Sequence, residues 1–200
     1  MATEINVKKY QIPPLGDGGQ RKKIHPHKFA MWIGIGSIIM MFAGLTSAYI
    51  VKREQPGWTT FDIPRSFWYS TFAILISSLT MQMALKSFIE RQMQKYKTLI
   101  GITVFLGILF IVLQWISFRQ IWSSGVTLKG SGAGQFLYVI AGLHAVHVLG
   151  GIIALLVTYI KAFFSKRRNY SSVPLEVVTT YWHFVDVLWI YLFIFFLWIH

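Results

Sequence analysis

The chain has 200 residues, 54% of them hydrophobic and only 13% charged. That balance argues against an ordinary soluble domain and points to a protein that lives in a bilayer. The net charge of +12 would suit a nucleic-acid binder, but the basic residues flank apolar runs instead of forming a groove interleaved with aromatics, so no nucleic-acid partner is expected. There is no cysteine, which excludes disulfides and thiolate metal sites.

Five runs are nearly free of charge, at about 29–51, 66–85, 98–118, 130–160 and 177–199. Each has about 20 residues or more, enough to cross roughly 30 Å of hydrocarbon as a helix. The expected fold is therefore an all-α membrane protein. It is a bundle of five transmembrane helices at about 28–52, 66–88, 97–120, 135–161 and 177–199, with residues 28–200 as one membrane domain. Residues 1–27 are polar and broken by Pro13, Pro14 and Gly16 to Gly19. They read as a flexible cytoplasmic tail without a cleavable signal, so the first span is expected to direct insertion. His25-Pro26-His27 reads as a surface loop before a helix.

Five spans place the termini on opposite sides. Fourteen Lys and Arg fall on the N-terminal side, against Lys52, Arg53, Arg65, Arg119 and Lys129 on the other. That asymmetry predicts the N-terminus inside and the C-terminus outside.

In helix 1, Gly34, Ser37, Gly44 and Ala48 suit close helix contact, and Trp32 and Tyr49 suit the two interfaces. In helix 2, Ser77, Ser78 and Thr80 are expected to bond a neighbouring helix or their own carbonyls. Gln114 in helix 3 needs a partner, most readily on another helix. In helix 4, His144 and His147 share a face near mid-membrane. The basic residues Lys166, Arg167 and Arg168 follow, placed to meet lipid headgroups.

Helix 5 concentrates the polar groups. Glu176, Thr179, Thr180, His183 and Asp186 form a stripe, which predicts an inner half that faces the bundle or water. The outer half, 190–199, is apolar all round. An aspartate at membrane depth costs about 2.5–3.5 kcal/mol. The fourteen Leu, Ile, Phe and Val residues of this span offset it by about 4–8 kcal/mol. The helix can insert, but Asp186 must not face lipid.

The residues leave several chemistries open. His144, His147, His183 and Asp186 make a ligand set for zinc or non-haem iron, though membrane di-iron enzymes need more histidines. One histidine from each of helices 4 and 5 would serve as axial ligands in a stand-alone bis-His haem b electron carrier. An Asp–His pair can relay protons, but the helices offer no chain of further carboxylates. The simplest reading is structural: these groups satisfy one another, with Gln114 or a threonine closing the network. Five spans do not divide into equal halves and no helix is broken, which weighs against a transporter.

At these residues the chain resembles subunit III of the haem–copper terminal oxidases, the cytochrome c oxidase and quinol oxidase family. Tyr181-Trp182-His183-Phe184-Val185-Asp186-Val187-Leu188-Trp189 is similar to that family's last-helix signature, with Glu176 matching its glutamate. Gly142-Leu143-His144-Ala145-Val146-His147-Val148 resembles its preceding-helix motif, and Leu113-Gln114 its helix-3 glutamine. The resemblance covers about residues 28–200 and matches the short, five-helix form. Three family carboxylates are replaced, by Ile38, Arg65 and Ser117.

The resemblance implies an accessory subunit with no catalytic residue, metal or redox cofactor in this chain. The haems and copper that reduce oxygen would sit in subunit I, its direct partner, with subunit II and other respiratory-complex subunits nearby. It also implies phospholipid bound between helices, with Trp182, His183, Arg167 and Arg168 as candidate lipid contacts, and sustained proton uptake. The remaining set, Gln114, His144, His147, Glu176, His183 and Asp186, is expected to be a structural polar cluster fixing the register of helices 4 and 5. The setting implied is a bacterial cytoplasmic membrane.

Overall fold

The computed structural model describes residues 26–54, 64–125, 132–164 and 172–199. Among these there are five helices: α1 (Pro26–Arg53), α2 (Ser66–Ile89), α3 (Met93–Ser123), α4 (Gly132–Phe164) and α5 (Val173–Ile199). All five are long and apolar enough to cross a membrane, so the chain is an all-α, multi-pass membrane protein. The expected tail lies outside the described residues, apart from Pro26 and His27, which already belong to α1. Proline suits a first helical turn because its missing N–H has no intrahelical acceptor there. The helices outrun the apolar windows, most at α3 and α4. Backbone satisfaction does not stop where the hydrocarbon stops.

α2, α3, α4 and α5 pack in a closed ring, each against the next, and α5 closes back on α2. α1 lies outside the ring, against α4 and α5. α5 is accordingly the most enclosed span and α1 the least. The α2–α3 turn is tight. Gln92 N–H donates to Ser87 O (2.9 Å) and Arg91 N–H to Phe88 O (3.1 Å). This pair of bonds caps the end of α2 and puts Arg91 in the left-handed region at φ 60°.

Two tryptophans fill the ring. Trp182 is completely buried between Gly107 of α3 and Gly151 of α4. A Cβ added at either glycine would meet the indole at 3.0 Å. Trp189, one helical repeat further along, stacks on Phe67 and meets Phe110 edge-on. The small residues that decide helix approach are thus Gly107 and Gly151. Of those expected in helix 1, Gly34 and Gly44 play no such part, since a Cβ at either meets nothing within 4 Å; Ser37 is exposed and Ala48 half-buried. Tyr49, one turn from the end of α1, is buried among Phe136, Phe195 and Phe196, so it docks α1. Trp32, by contrast, is exposed.

Polar bonds between spans converge on the hydroxyls of α2. Trp182 Nε1 donates to Ser77 Oγ and Trp189 Nε1 to Thr71 Oγ1, both at 3.1 Å. Thr80 bonds Thr103 of α3 at 2.9 Å. In hydrocarbon such bonds have no competing water, so each helps set helix register. α1 is tied on by Thr46 to Tyr191 (2.9 Å) and by an ion pair between Lys28 and Glu176.

Candidate intramembrane site

The polar side chains of the spans go to distinct surroundings. Gln114 donates from Nε2 to Ser70 Oγ of α2 at 3.2 Å, the interhelical partner its position called for. His183 sits beside α2, with Nδ1 at 2.6 Å from Ser78 Oγ and Nε2 at 3.1 Å from Gln82 Oε1. His147 turns back to its own helix, 2.7 Å from Leu143 O. Glu176 accepts from Lys28 and from Ser172 Oγ (2.6 Å) at the end of α5.

His144 and Asp186 differ from the rest. Both are 2% exposed, and neither ring nitrogen nor either carboxylate oxygen has a hydrogen-bond partner among the described residues. His144 is held by rings: Phe42, Phe110 and Trp189 surround it. Asp186 lies between the two core tryptophans on the buried face of α5. Ser78 is near it, yet that hydroxyl bonds His183.

Of the six residues expected as one cluster, Gln114 and His144 line one cleft and His144 and His147 both flank Phe42, but the side-chain bonds of Gln114, His147, Glu176 and His183 to Ser70, Leu143, Ser172 and Ser78 all leave the set. Glu176 and Asp186 alone are about 15 Å apart along α5. His144 sits among aromatic rings, while His183 faces Ser78 and Gln82, so the two imidazoles are not presented to a common axial position. No three metal-ligating side chains converge among the described residues. The α4–α5 register rests on other contacts: Tyr181 OH donates to His147 O at 3.1 Å, and Trp182 sits on Gly151. Of the expected lipid contacts, Trp182 is enclosed in the ring, His183 is half-buried, and Arg167 and Arg168 lie outside the described residues. Of the three substituted carboxylate positions, Ser117 bonds its own helix through Leu113 O, Ile38 packs against the core, and Arg65 is exposed.

Ser70, Thr71, Gly107 and Gly151 were not singled out in the sequence. Ser70, Ser77 and Ala84, all 0% exposed, recur every seven residues. That small-residue spacing was the available signal for the buried face of α2.

A family model described as cytochrome c oxidase subunit III matches residues 58–200. The chain belongs to that family. The match takes in the whole α2–α5 ring and leaves α1 outside. Relatives agree. A probable cytochrome c oxidase subunit 3 of Mycobacterium tuberculosis is 30% identical over 166 residues, 80% of this chain and 82% of the relative. A probable cytochrome c oxidase subunit 3 of Nocardia farcinica is 29% identical over 183 residues, covering 86% and 90%. The cytochrome c oxidase subunit 3 of Bacillus subtilis is 28% identical over 168 residues, covering 81% of each. The chain is thus an oxidase subunit III of the bacterial type, which implies association with other oxidase subunits.

Proposed function

We propose that this chain is the accessory, non-redox subunit of a respiratory haem–copper oxidase, the enzyme that reduces oxygen to water and pumps protons. It packs directly on catalytic subunit I, with subunit II and other complex members beyond. It holds phospholipid and sustains proton uptake, while haems and copper reside in the partners. The observation that supports the reading is the match of residues 58–200 to the subunit III family. The N-terminus faces the cytoplasm, following the distribution of basic residues. His183, half-buried beside exposed Gln82, is the lipid contact within the described residues. Arg167 and Arg168 supply headgroup charge at the inner surface.

Affinity purification of the tagged chain from its native membrane tests this. A copper- and haem-bearing subunit is expected to co-purify, and the chain separated from it is expected to show no Soret band. A separated chain that keeps a Soret band and a reduced α-band would establish the haem b carrier instead.

A further inference from the structure

A groove of about 480 Å³ lies between the start of α3 and the end of α4, at the inner end of the bundle in the topology proposed above. It runs along one face of α3 from Gln94 to Phe105, about 17 Å, close to the depth of one leaflet's hydrocarbon. Gln94, Lys97 and Thr98 stand at its mouth, and Tyr159 of α4 and Phe105 of α3 wall it further in. Phe105 is 66% exposed and Phe163, at the mouth, 48%, so the groove is open to lipid along its length.

The mouth carries a charge without a counterpart. Lys97 is half-buried, and its ammonium lies 5.1 Å from the centre of the Phe163 ring. That contact draws the lysine across the groove instead of out to water, so its place is set before a ligand arrives. The described carboxylates near this end are committed elsewhere, Glu90 to Lys86 and Glu176 to Lys28. Among the described residues no carboxylate lines the groove. Thr98 spends its proton on Gln94 O, which leaves its oxygen to accept, and the exposed Gln94 amide both donates and accepts. The mouth therefore suits a group that is negative, carries hydroxyls and lacks an ammonium. The aromatic walls further in, a leaflet deep, suit an acyl chain.

We propose that this groove holds one anionic phospholipid of the inner leaflet, of the phosphatidylglycerol class. The phosphate accepts from the Lys97 ammonium. The headgroup glycerol donates to Thr98 Oγ1 and meets the Gln94 amide, and one acyl chain descends past Tyr159 and Phe105. A phosphatidylethanolamine would bring an ammonium beside Lys97 with no carboxylate to receive it. The proposal rests on the phospholipid and topology readings above, and it names a position apart from His183, which faces α2.

The test uses the assembled complex in phosphatidylcholine nanodiscs and a phosphatidylglycerol carrying a diazirine on one acyl chain. Partner subunits are scored before illumination, so failure of the accessory-subunit reading shows as missing subunits and not as missing label. After photolysis, label is expected on α3 between 98 and 105 and on α4 between 159 and 163. Unlabelled phosphatidylglycerol is expected to displace it, whereas phosphatidylethanolamine and inorganic phosphate are not. Lys97→Gln is expected to weaken labelling about tenfold with subunit composition unchanged, and Lys97→Arg to retain it. Lys161→Gln controls for diffuse surface charge. Lys161 is exposed in the last turn of α4 and outside the groove lining, so its loss should leave labelling unchanged. Full labelling of Lys97→Gln, or an equal loss in Lys161→Gln, would overturn the proposal. So would displacement by inorganic phosphate, or by phosphatidylethanolamine as effectively as by phosphatidylglycerol. Label confined to α2 and α5 around His183 would overturn it too, while leaving the phospholipid reading in place.

Discussion

Glycine matters in this chain only where an aromatic ring lies over it. Gly151 is pressed by Trp182 at 3.0 Å and Tyr181 at 3.4 Å, both anchored on a packed helix. Gly151→Val is therefore expected to destabilise the ring by about 1–3 kcal/mol, the cost of overpacking. Gly142→Ala meets open space and is expected to be neutral, or stabilising by up to about 1 kcal/mol through helix propensity. Thermal dissociation of the detergent-solubilised subunit, read on native gels, separates the two. Asp186 poses the opposite case, a buried carboxyl with no hydrogen-bond partner among the described residues. Asp186→Asn keeps the shape and is expected to change the subunit's own stability by less than about 1 kcal/mol. Its effect should instead appear as shortened turnover lifetime of the assembled oxidase, with the haem spectrum intact. A large loss of subunit stability in the same thermal assay would show that the carboxylate has an intramolecular role.

Between helices, the weak join is that of α1. Among the described residues it touches the ring through α4 and α5, and its anchor is the ring cluster around Tyr49. Tyr49→Ala is expected to cost about 3–5 kcal/mol, as for other large aromatic truncations in cores. The Lys28–Glu176 pair is about one-third exposed and contributes at most about 1 kcal/mol, so it cannot hold α1 alone. The cysteine-free sequence allows a direct check. Thr46→Cys with Tyr191→Cys, on either side of the observed α1–α5 bond, should be bridged rapidly in the parent by a short bis-maleimide, which spans the room the tyrosine ring vacates, and slowly once Tyr49→Ala is added. An unchanged rate would place the anchor elsewhere.

The number of spans and the inward polar stripe of α5 were legible in hydropathy alone. Asp186 and Thr179, marked by their cost in lipid, are both buried. The demand of Gln114 for an interhelical partner was legible too, and Ser70 meets it. Facing was not legible for the apolar residues. In a bilayer a leucine against lipid and a leucine against a helix are energetically alike, so no polar face marks the outside. This is why Gly34 and Gly44 read as contacts. The pairing of imidazole with carboxylate failed for a related reason. α2 carries enough hydroxyls to satisfy His183 and both indoles before Asp186 is reached.

For the whole molecule, the ring of α2–α5 coincides with most of the segment that matches the subunit III family. α1 lies outside the segment that the family model matches. With the N-terminus inside, a cysteine introduced by Ser124→Cys, between α3 and α4, is expected to react with an impermeant maleimide from outside the cell. One introduced by Glu90→Cys, between α2 and α3, should react only after permeabilisation. The reverse pattern would invert the topology and move the basic loops outside.

The most direct test of the scaffold role is the turnover lifetime of the oxidase purified with and without this chain, alongside its haem and copper content. The account predicts full haem and copper and a normal initial rate in the depleted enzyme, followed by early inactivation that re-addition of the chain prevents. Loss of a haem or of copper in proportion to the missing chain would contradict it.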